Sequence, residues 1–130
     1  MRCCEARKMT VVRGIRGATQ AERDEPEAIL AATEELLLAI RERNNFALED
    51  VASALFTVTP DLRAGFPASA ARRLGWTNVP LLNFTEIPVP GDLPRCIRTM
   101  ILINTTLGQE QIVHVYLGGA VALRPDLQRQ

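Results

Sequence analysis

One apolar segment with a charge inside it limits what this chain can fold into. Residues 94–104, PRCIRTMILIN, have the composition of a buried strand, yet Arg98 lies among them. An extended chain alternates its side chains between two faces, so Arg98 shares its face with uncharged neighbours, namely Cys96, Met100 and Leu102. Burying an unpaired cation is costly. The guanidinium must therefore lie in water at the rim of a sheet, pair with a carboxylate, or await an anionic ligand.

The overall charge argues against two classes of partner. Fifteen Lys and Arg residues balance fifteen Asp and Glu residues, so no global positive field exists to gather nucleic acid or an anionic membrane surface. No apolar run approaches the roughly 20 residues of a membrane span. We therefore predict no nucleic-acid partner and no membrane partner. Any site for an anion must be built locally.

The cysteines and the common catalytic motifs narrow the chemistry further. Cys3, Cys4 and Cys96 are odd in number and form no C-x-x-C pair, which argues against a disulfide framework and against a zinc site. We predict no metal and a reducing, cytoplasmic location. The usual nucleotide-binding, zinc-protease and serine-hydrolase motifs do not occur. The single histidine, His114, is interpreted as a partly buried helix residue rather than a catalytic base.

The pattern of elements predicts a single α/β or mixed α+β domain. The first ten residues, MRCCEARKMT, lack the apolar core of a signal peptide and are too polar to pack, so we predict a disordered extension over 1–10 and one domain over 11–130. Alternating apolar residues predict five strands, at 11–18, 52–58, 79–84, 94–104 and 120–124. Three helices are predicted, at about 26–44, 67–74 and 110–117. A proline-rich loop at 86–94 precedes the fourth strand.

A few polar residues suggest a site when they are taken together. Arg16 and Arg98 both lie within predicted strands, and Glu86 follows a strand that could lie beside them. The other candidates are Tyr116, Arg72 and Arg124. Each alone is more simply a solvated group or a structural ion pair. Two strand arginines with few nearby acids nevertheless indicate a pocket for a small molecule that carries carboxylates or phosphate, with Glu86 as an acceptor for a hydroxyl.

An ordered set of motifs resembles a known family. RGIRGAT is followed by ERDE, TPDL by FPASAAR, and HVYL by VALRPDL, and VPLLNFTEIPVPGDLPRCIR lies between the last two sets. Together they resemble the monofunctional chorismate mutases of the trimeric, Bacillus-type α/β class, over about residues 12–127. The resemblance implies a pseudo-α/β-barrel homotrimer with an active site in each cleft between subunits. It also implies the Claisen rearrangement of chorismate to prephenate, on the route to phenylalanine and tyrosine, with no cofactor and no covalent intermediate.

The resemblance also assigns roles to residues of this sequence. It implies that Arg16 and Tyr116 hold the enolpyruvyl carboxylate of chorismate. Glu86 would accept a hydrogen bond from the ring hydroxyl, and Arg98 would face the ether oxygen. Such a rearrangement needs no nucleophile and no general base, which agrees with a chain that has a single histidine.

Further positions are assigned to a neighbouring subunit or to the rim of the site. Phe66 and Arg72 resemble the neighbour's contribution, and Arg124 corresponds to a C-terminal segment that covers the pocket. Asn83 stands where some relatives have cysteine or serine near the ring hydroxyl, so we expect it to contact the substrate. Ser69 stands where a lysine occurs in a relative. Both departures affect substrate affinity more than the class of reaction.

Two other functions remain open at the level of sequence. One is a non-catalytic trimeric protein that binds a small carboxylate, and only the intact set of Arg16, Glu86, Arg98 and Tyr116 argues against it. The other is a trimeric imine deaminase of similar architecture, which also binds a carboxylate through an arginine. That second alternative explains neither Glu86 nor the RPDL motif.

Overall fold

The computed structural model describes residues 9–123 and is built around one mixed sheet of five strands. Along the chain the strands are β1 (Val11–Gln20), β2 (Val51–Val58), β3 (Leu81–Thr85), β4 (Cys96–Thr105) and β5 (Val115–Tyr116). Their spatial order is β3-β2-β4-β1-β5. β4 is antiparallel to both β1 and β2, whereas the outer pairs β2–β3 and β1–β5 are parallel. The segment that contains Arg98 is therefore the central strand, and the predicted mixed class is confirmed.

Two α-helices cover one face of the sheet. α1 (Pro26–Asn44) has proline in its first turn and ends at Asn45, whose left-handed φ of 50° lets its N–H bond to the Arg41 carbonyl. α2 (Ala68–Arg73) is a short helix, and Gly75 follows it with a φ of +92°. Both helices lie where the sequence predicts them. They bury the odd-numbered side chains of β4 from Ile97 to Ile103, which are at most 4% exposed.

The opposite face of the sheet is largely open in the single chain. Cross-strand partners share a face, so the registers Arg16↔Met100 and Thr57↔Arg98 place these four side chains on it. Exposed apolar residues extend the same face toward the edges, namely Val12, Leu82 and Phe84, with 46–57% exposure. We call this surface the open face.

The chain after β4 differs from the prediction. A helix is expected over 110–117, but the chain forms a 3₁₀ turn at Gln109–Gln111 and then the short strand β5. Val113 is held extended because the Asn44 side chain both donates to its carbonyl, at 2.9 Å, and accepts from its N–H, at 2.8 Å. These bonds replace those of a helix. The predicted helix is therefore wrong, and His114 precedes β5 instead of lying in a helix.

The predicted last strand at 120–124 is also wrong over the part that the structure describes. Gly118–Leu123 is a 3₁₀ turn, which begins where Gly118 takes a φ of +56°. The described helices include none that is long and apolar enough to cross a membrane. The predicted extension falls almost entirely on residues 1–8, outside the described residues, and Met9 and Thr10 have no regular structure.

Candidate active site

A cavity of about 370 Å³ lies on the open face, over the centre of the sheet. Every strand of the sheet, or the residue that follows it, contributes to its wall. The lining residues are Arg16, Gly17, Leu55, Thr57, Phe84, Glu86, Arg98, Thr99, Met100 and Tyr116. The cavity therefore has an apolar floor and a small number of charged and hydroxyl groups, as small-molecule sites commonly do.

Strand register brings the charged groups together. Ala18 on β1 is paired on one side with Arg98 and on the other with Tyr116, so the arginine and the tyrosine flank a small residue. Glu86 comes directly after β3, and its N–H donates to the Val58 carbonyl at 2.9 Å, which continues the β2–β3 pairing by one residue. The backbone of the sheet thus places a carboxylate beside Arg98.

Arg98 lies between two carboxylates. Its Nε is 3.2 Å from Glu86 Oε2, and its Nη2 is 3.6 Å from Asp92 Oδ2. Burial alone would lower the pKa of the guanidinium, but Glu86 first, and then Cys96 and Asp92, outweigh this effect, so the pKa is raised. Of the three explanations that its sequence position left open, pairing with a carboxylate is the one observed in the single chain.

Glu86 balances the charge of Arg98 but does not accept a hydrogen bond from its Nε–H. Arg98 Nε is buried and has no hydrogen bond of acceptable geometry to any described residue, although Glu86 Oε2 lies within ion-pair distance. The N–H therefore does not point at the oxygen. A buried donor without a partner is costly, and such groups are concentrated at functional sites.

The Cys96 thiol, close to Arg98, adds no negative charge to the site. Burial raises the pKa of its thiol, and the nearby Arg98 guanidinium only partly offsets this effect. The side chain is fully buried. The thiol is therefore neutral near neutral pH and leaves the charge of Arg98 to the two carboxylates.

Arg16 is the second cation of the cavity. No hydrogen bond or ion pair joins its side chain to another described residue, whereas its backbone N–H donates to His114 Nδ1 at 3.0 Å. Gly17, next to it, allows close packing on the opposite side of β1, where an added Cβ would lie 2.7 Å from Ile40 Cδ1. The absence of a side chain at Gly17 thus lets α1 pack closely on β1.

The structure brings together four of the eight predicted site residues. Arg16, Glu86, Arg98 and Tyr116 all line the cavity. Phe66 and Arg72 do not: Phe66 is 66% exposed just before α2, and Arg72 lies on α2 at a separate surface depression with Trp76. Arg124 lies outside the described residues.

Asn83 lies on the other side of β3 from the cavity. Its Oδ1 accepts a hydrogen bond at 3.0 Å from the N–H of Ala68, the first residue of α2. The side chain therefore satisfies a helix N-terminal donor within its own chain. In this chain it lines a different surface from Phe84, its neighbour on β3.

Sequence reasoning missed two polar residues of the site. Thr57 lines the cavity and its hydroxyl donates to Glu86 Oε2. Asp92 belongs to the proline-rich loop and reaches back to Arg98. An acid in the loop that joins β3 to β4 was a visible signal, but the contact of Thr57 depends on strand register, which the local sequence does not contain.

Among residues 9–123, no group of three or more His, Cys, Asp and Glu side chains is placed to hold a metal ion. The cavity instead offers two guanidinium groups, a carboxylate, a phenol and a threonine hydroxyl on an apolar floor. Such a set can bind an anionic molecule that also carries a hydroxyl group.

Comparison with known proteins identifies close relatives. The family model of chorismate mutase type I matches residues 12–127. The chorismate mutase AroH of Thermus thermophilus is 55% identical over 119 residues, which cover 91% of this chain and 98% of that protein. The enzyme of the same name from Bacillus subtilis (strain 168) is 51% identical over 118 residues, covering 90% and 93%. A solved chorismate mutase from Clostridium thermocellum superposes with a TM-score of 0.82 at 46% identity, covering 84% of this chain and 97% of that one.

Proposed function

The chain belongs to the type I chorismate mutases, and from this membership we propose that the cavity around Arg98 is its active site. The protein is an isomerase that converts chorismate to prephenate. In this rearrangement the ether C–O bond breaks and a C–C bond forms within one molecule, so no proton or electron passes to the protein. The protein has to hold a flexible dianion in its compact conformer and stabilise the charge that develops on the ether oxygen.

One observation carries the assignment of the site. Arg98 Nε is a buried donor at the wall of the cavity, and Arg16 is a second cation there. Among the described residues Arg98 Nε has no hydrogen-bond partner and the Arg16 side chain has no ion pair. A substrate with two carboxylates and an ether oxygen supplies acceptors for both groups. A preorganised donor at the position where negative charge develops stabilises the transition state more than the ground state.

We assign four polar groups of the cavity a role that fits the position of each. Arg16 and Tyr116, on the adjacent strands β1 and β5, bind the enolpyruvyl carboxylate. Glu86 accepts the hydrogen bond of the ring hydroxyl, and Arg98 faces the ether oxygen. The ion pair with Glu86 keeps the Arg98 guanidinium in place. The remaining lining residues exclude water and shape the compact conformer.

We propose further that the active protein is a homotrimer whose sites are shared between subunits. Five large apolar side chains are 46–79% exposed in the single chain: Val12, Leu82 and Phe84 on the open face, and Phe66 and Ile87 elsewhere on the surface. Covering such a surface with another copy would bury apolar area and would bring a neighbour's α2 region to the cavity. Phe66 and Arg72 are the residues that would then reach the substrate, and Arg124 would close the pocket.

Mixed trimers test the shared site. Arg98→Ala and Arg72→Glu each disable a different half of the site, so each variant alone should be nearly inactive. If the two variants are unfolded together and refolded as a 1:1 mixture, about a quarter of the sites should be intact. Each site combines one half from one subunit with the other half from its neighbour, and each half is intact in half of the subunits. Sedimentation should give a trimer for each variant. No recovery in well-formed mixed trimers would contradict a shared site.

Catalysis itself is measured directly by the loss of chorismate absorbance. Arg16→Ala and Glu86→Gln should each lower kcat/KM, whereas a protein that only binds a carboxylate would show no turnover at all. An imine deaminase would leave chorismate unchanged and release ammonia from an imine. The relatives favour the mutase over both alternatives.

A cytoplasmic location and a dispensable extension complete the proposal. The odd set of three cysteines and the biosynthetic relatives support a reducing compartment. Deleting residues 1–8 should leave kcat and the melting temperature nearly unchanged, since so polar a segment buries little. A large loss of either would show that the segment packs on the domain.

A further inference from the structure

We propose that Thr57 is a positioning residue that fixes the orientation of the Glu86 carboxylate. The inference rests on the proposed function of the cavity and adds to it a residue that none of the roles above requires. Thr57 lies on β2, directly opposite Arg98 on one side and Phe84 on the other. Its Oγ1 donates a hydrogen bond to Glu86 Oε2.

The two oxygens of the Glu86 carboxylate have different contacts. Oε2 receives the Thr57 hydroxyl and lies 3.2 Å from Arg98 Nε. Oε1 has no partner among residues 9–123. An ionised carboxylate only accepts hydrogen bonds. Oε1 is thus the oxygen left for a substrate hydroxyl, and it is Thr57 that engages the other one.

Thr57 is better placed than Glu86 to hold a fixed geometry. It lies in an interior strand that is paired on both sides, and a β-branched side chain has few rotamers at χ1. Glu86 lies past the end of β3, at the start of the loop to β4, and one backbone hydrogen bond to Val58 continues its pairing. The Thr57 hydroxyl therefore holds the Glu86 side chain, which lies on a loop, against a strand that is fixed on both sides.

Removing the hydroxyl would free the carboxylate to rotate. Both of its oxygens could then approach the guanidinium, whose planar fork favours a bidentate pair with a carboxylate. Such a pair would occupy the Arg98 donor that is assigned to the ether oxygen and withdraw Oε1 from the substrate hydroxyl. The loss should therefore appear mainly in kcat, and to a smaller extent in KM.

The test compares Thr57→Val, which keeps the shape, with Thr57→Ser, which keeps the hydroxyl. We expect Thr57→Val to lower kcat/KM about tenfold to hundredfold, the range for a hydrogen bond to a charged group, and Thr57→Ser to recover most of it. Thr33→Val is the matched control, since Thr33 is a buried threonine of α1 whose hydroxyl donates to the Ile29 carbonyl at 2.7 Å. Thr57→Ala provides a second variant if valine disturbs the fold, which circular dichroism would reveal.

A double-mutant cycle with Glu86→Gln separates this proposal from the proposed active site. If Thr57 acts through Glu86, Thr57→Val should add little to the loss that Glu86→Gln causes. Full additivity, or a Thr57→Val protein as active as the wild type while Glu86→Gln is impaired, would overturn the positioning role alone. A Glu86→Gln protein with unchanged kinetics would overturn the role of Glu86 in the site, and the positioning role with it.

Discussion

Arg98 Nε and Glu86 Oε2 lie 3.2 Å apart, yet the N–H of the arginine does not point at the oxygen. The two groups neutralise each other without using the donor. This arrangement neutralises a charge on the central strand of the sheet and still leaves one hydrogen-bond donor of Arg98 unused among the described residues. The substrate would make that bond at the atom where negative charge develops.

Asp92 should weaken substrate binding. Its Oδ2 lies 3.6 Å from Arg98 Nη2, so it competes with an anionic substrate for the guanidinium and also repels it. We predict that Asp92→Asn lowers KM about two- to fivefold, the range of a partly exposed ion pair, and leaves kcat nearly unchanged. The difference should shrink in high salt.

The control for Asp92 is an equal change of net charge elsewhere. Glu35→Gln removes one negative charge from the exposed side of α1, on the helical face of the sheet. Its KM should match that of the wild type. Equal KM values for Asp92→Asn and Glu35→Gln would show that Asp92 does not compete for Arg98.

Asn83 should act through α2 and not through the substrate. Because its Oδ1 accepts the Ala68 N–H, Asn83→Asp retains the acceptor, whereas Asn83→Ala loses it and should cost about 1 kcal/mol of stability, as other lost caps do. We predict wild-type kcat/KM for Asn83→Asp, within about twofold, and a larger loss for Asn83→Ala. Unfolding in urea measures the stability and steady-state kinetics the activity.

The opposite order would restore the role that the family resemblance assigns to Asn83. A side chain that contacts the ring hydroxyl would lie near a dianion, and a new carboxylate there would repel it. Asn83→Asp would then raise KM more than Asn83→Ala does. The two roles thus predict opposite rankings of the same two variants.

The fold was predictable where local pattern and tertiary packing agree. The alternation around Arg98 correctly predicts the faces of β4, and Pro26 and Asn45 bound α1 as their backbone preferences require. The prediction fails at 110–117, where the Asn44 side chain holds Val113 extended from a distance of 69 residues along the chain. No local propensity contains that contact.

The site was predictable to the extent that the family resemblance supplied it. Composition and spacing indicated a local anion pocket with two strand arginines, and the structure places both of them in one cavity. Thr57 could not be found in this way, because its contact with Glu86 depends on the β2–β3 and β2–β4 registers.

Two glycines of β1 should differ in their tolerance of a methyl group. An added Cβ at Gly17 would lie 2.7 Å from Ile40 Cδ1 and 3.1 Å from Leu36 Cδ1, inside the packed core. At Gly14 the nearest atom is Met100 Sδ, at 3.0 Å, on the open face. Methionine adapts readily, whereas overpacking a core costs about 1–3 kcal/mol. Gly17→Ala should therefore lower the urea midpoint clearly more than Gly14→Ala, and similar midpoints would contradict the close packing of α1 on β1.

Arg98 should act mainly on kcat, because a fixed cation beside the ether oxygen stabilises the charge that develops on it more than it stabilises the bound substrate. By analogy with the loss of one oxyanion donor, we predict that Arg98→Ala lowers kcat by at least ~10²- to 10³-fold. Arg98→Lys keeps the charge but loses the planar fork, and should recover only part of this loss.

Arg124→Ala is the contrasting variant for Arg98. In the covering role proposed for it, Arg124 would bind ground and transition states alike, so its loss should chiefly raise KM. Steady-state kinetics on the three variants, with circular dichroism to verify folding, measures both effects. A folded Arg98→Ala protein with near-normal kcat would reduce Arg98 to a structural ion pair. The buried Nε without a hydrogen-bond partner would then only destabilise the fold and would not contribute to catalysis.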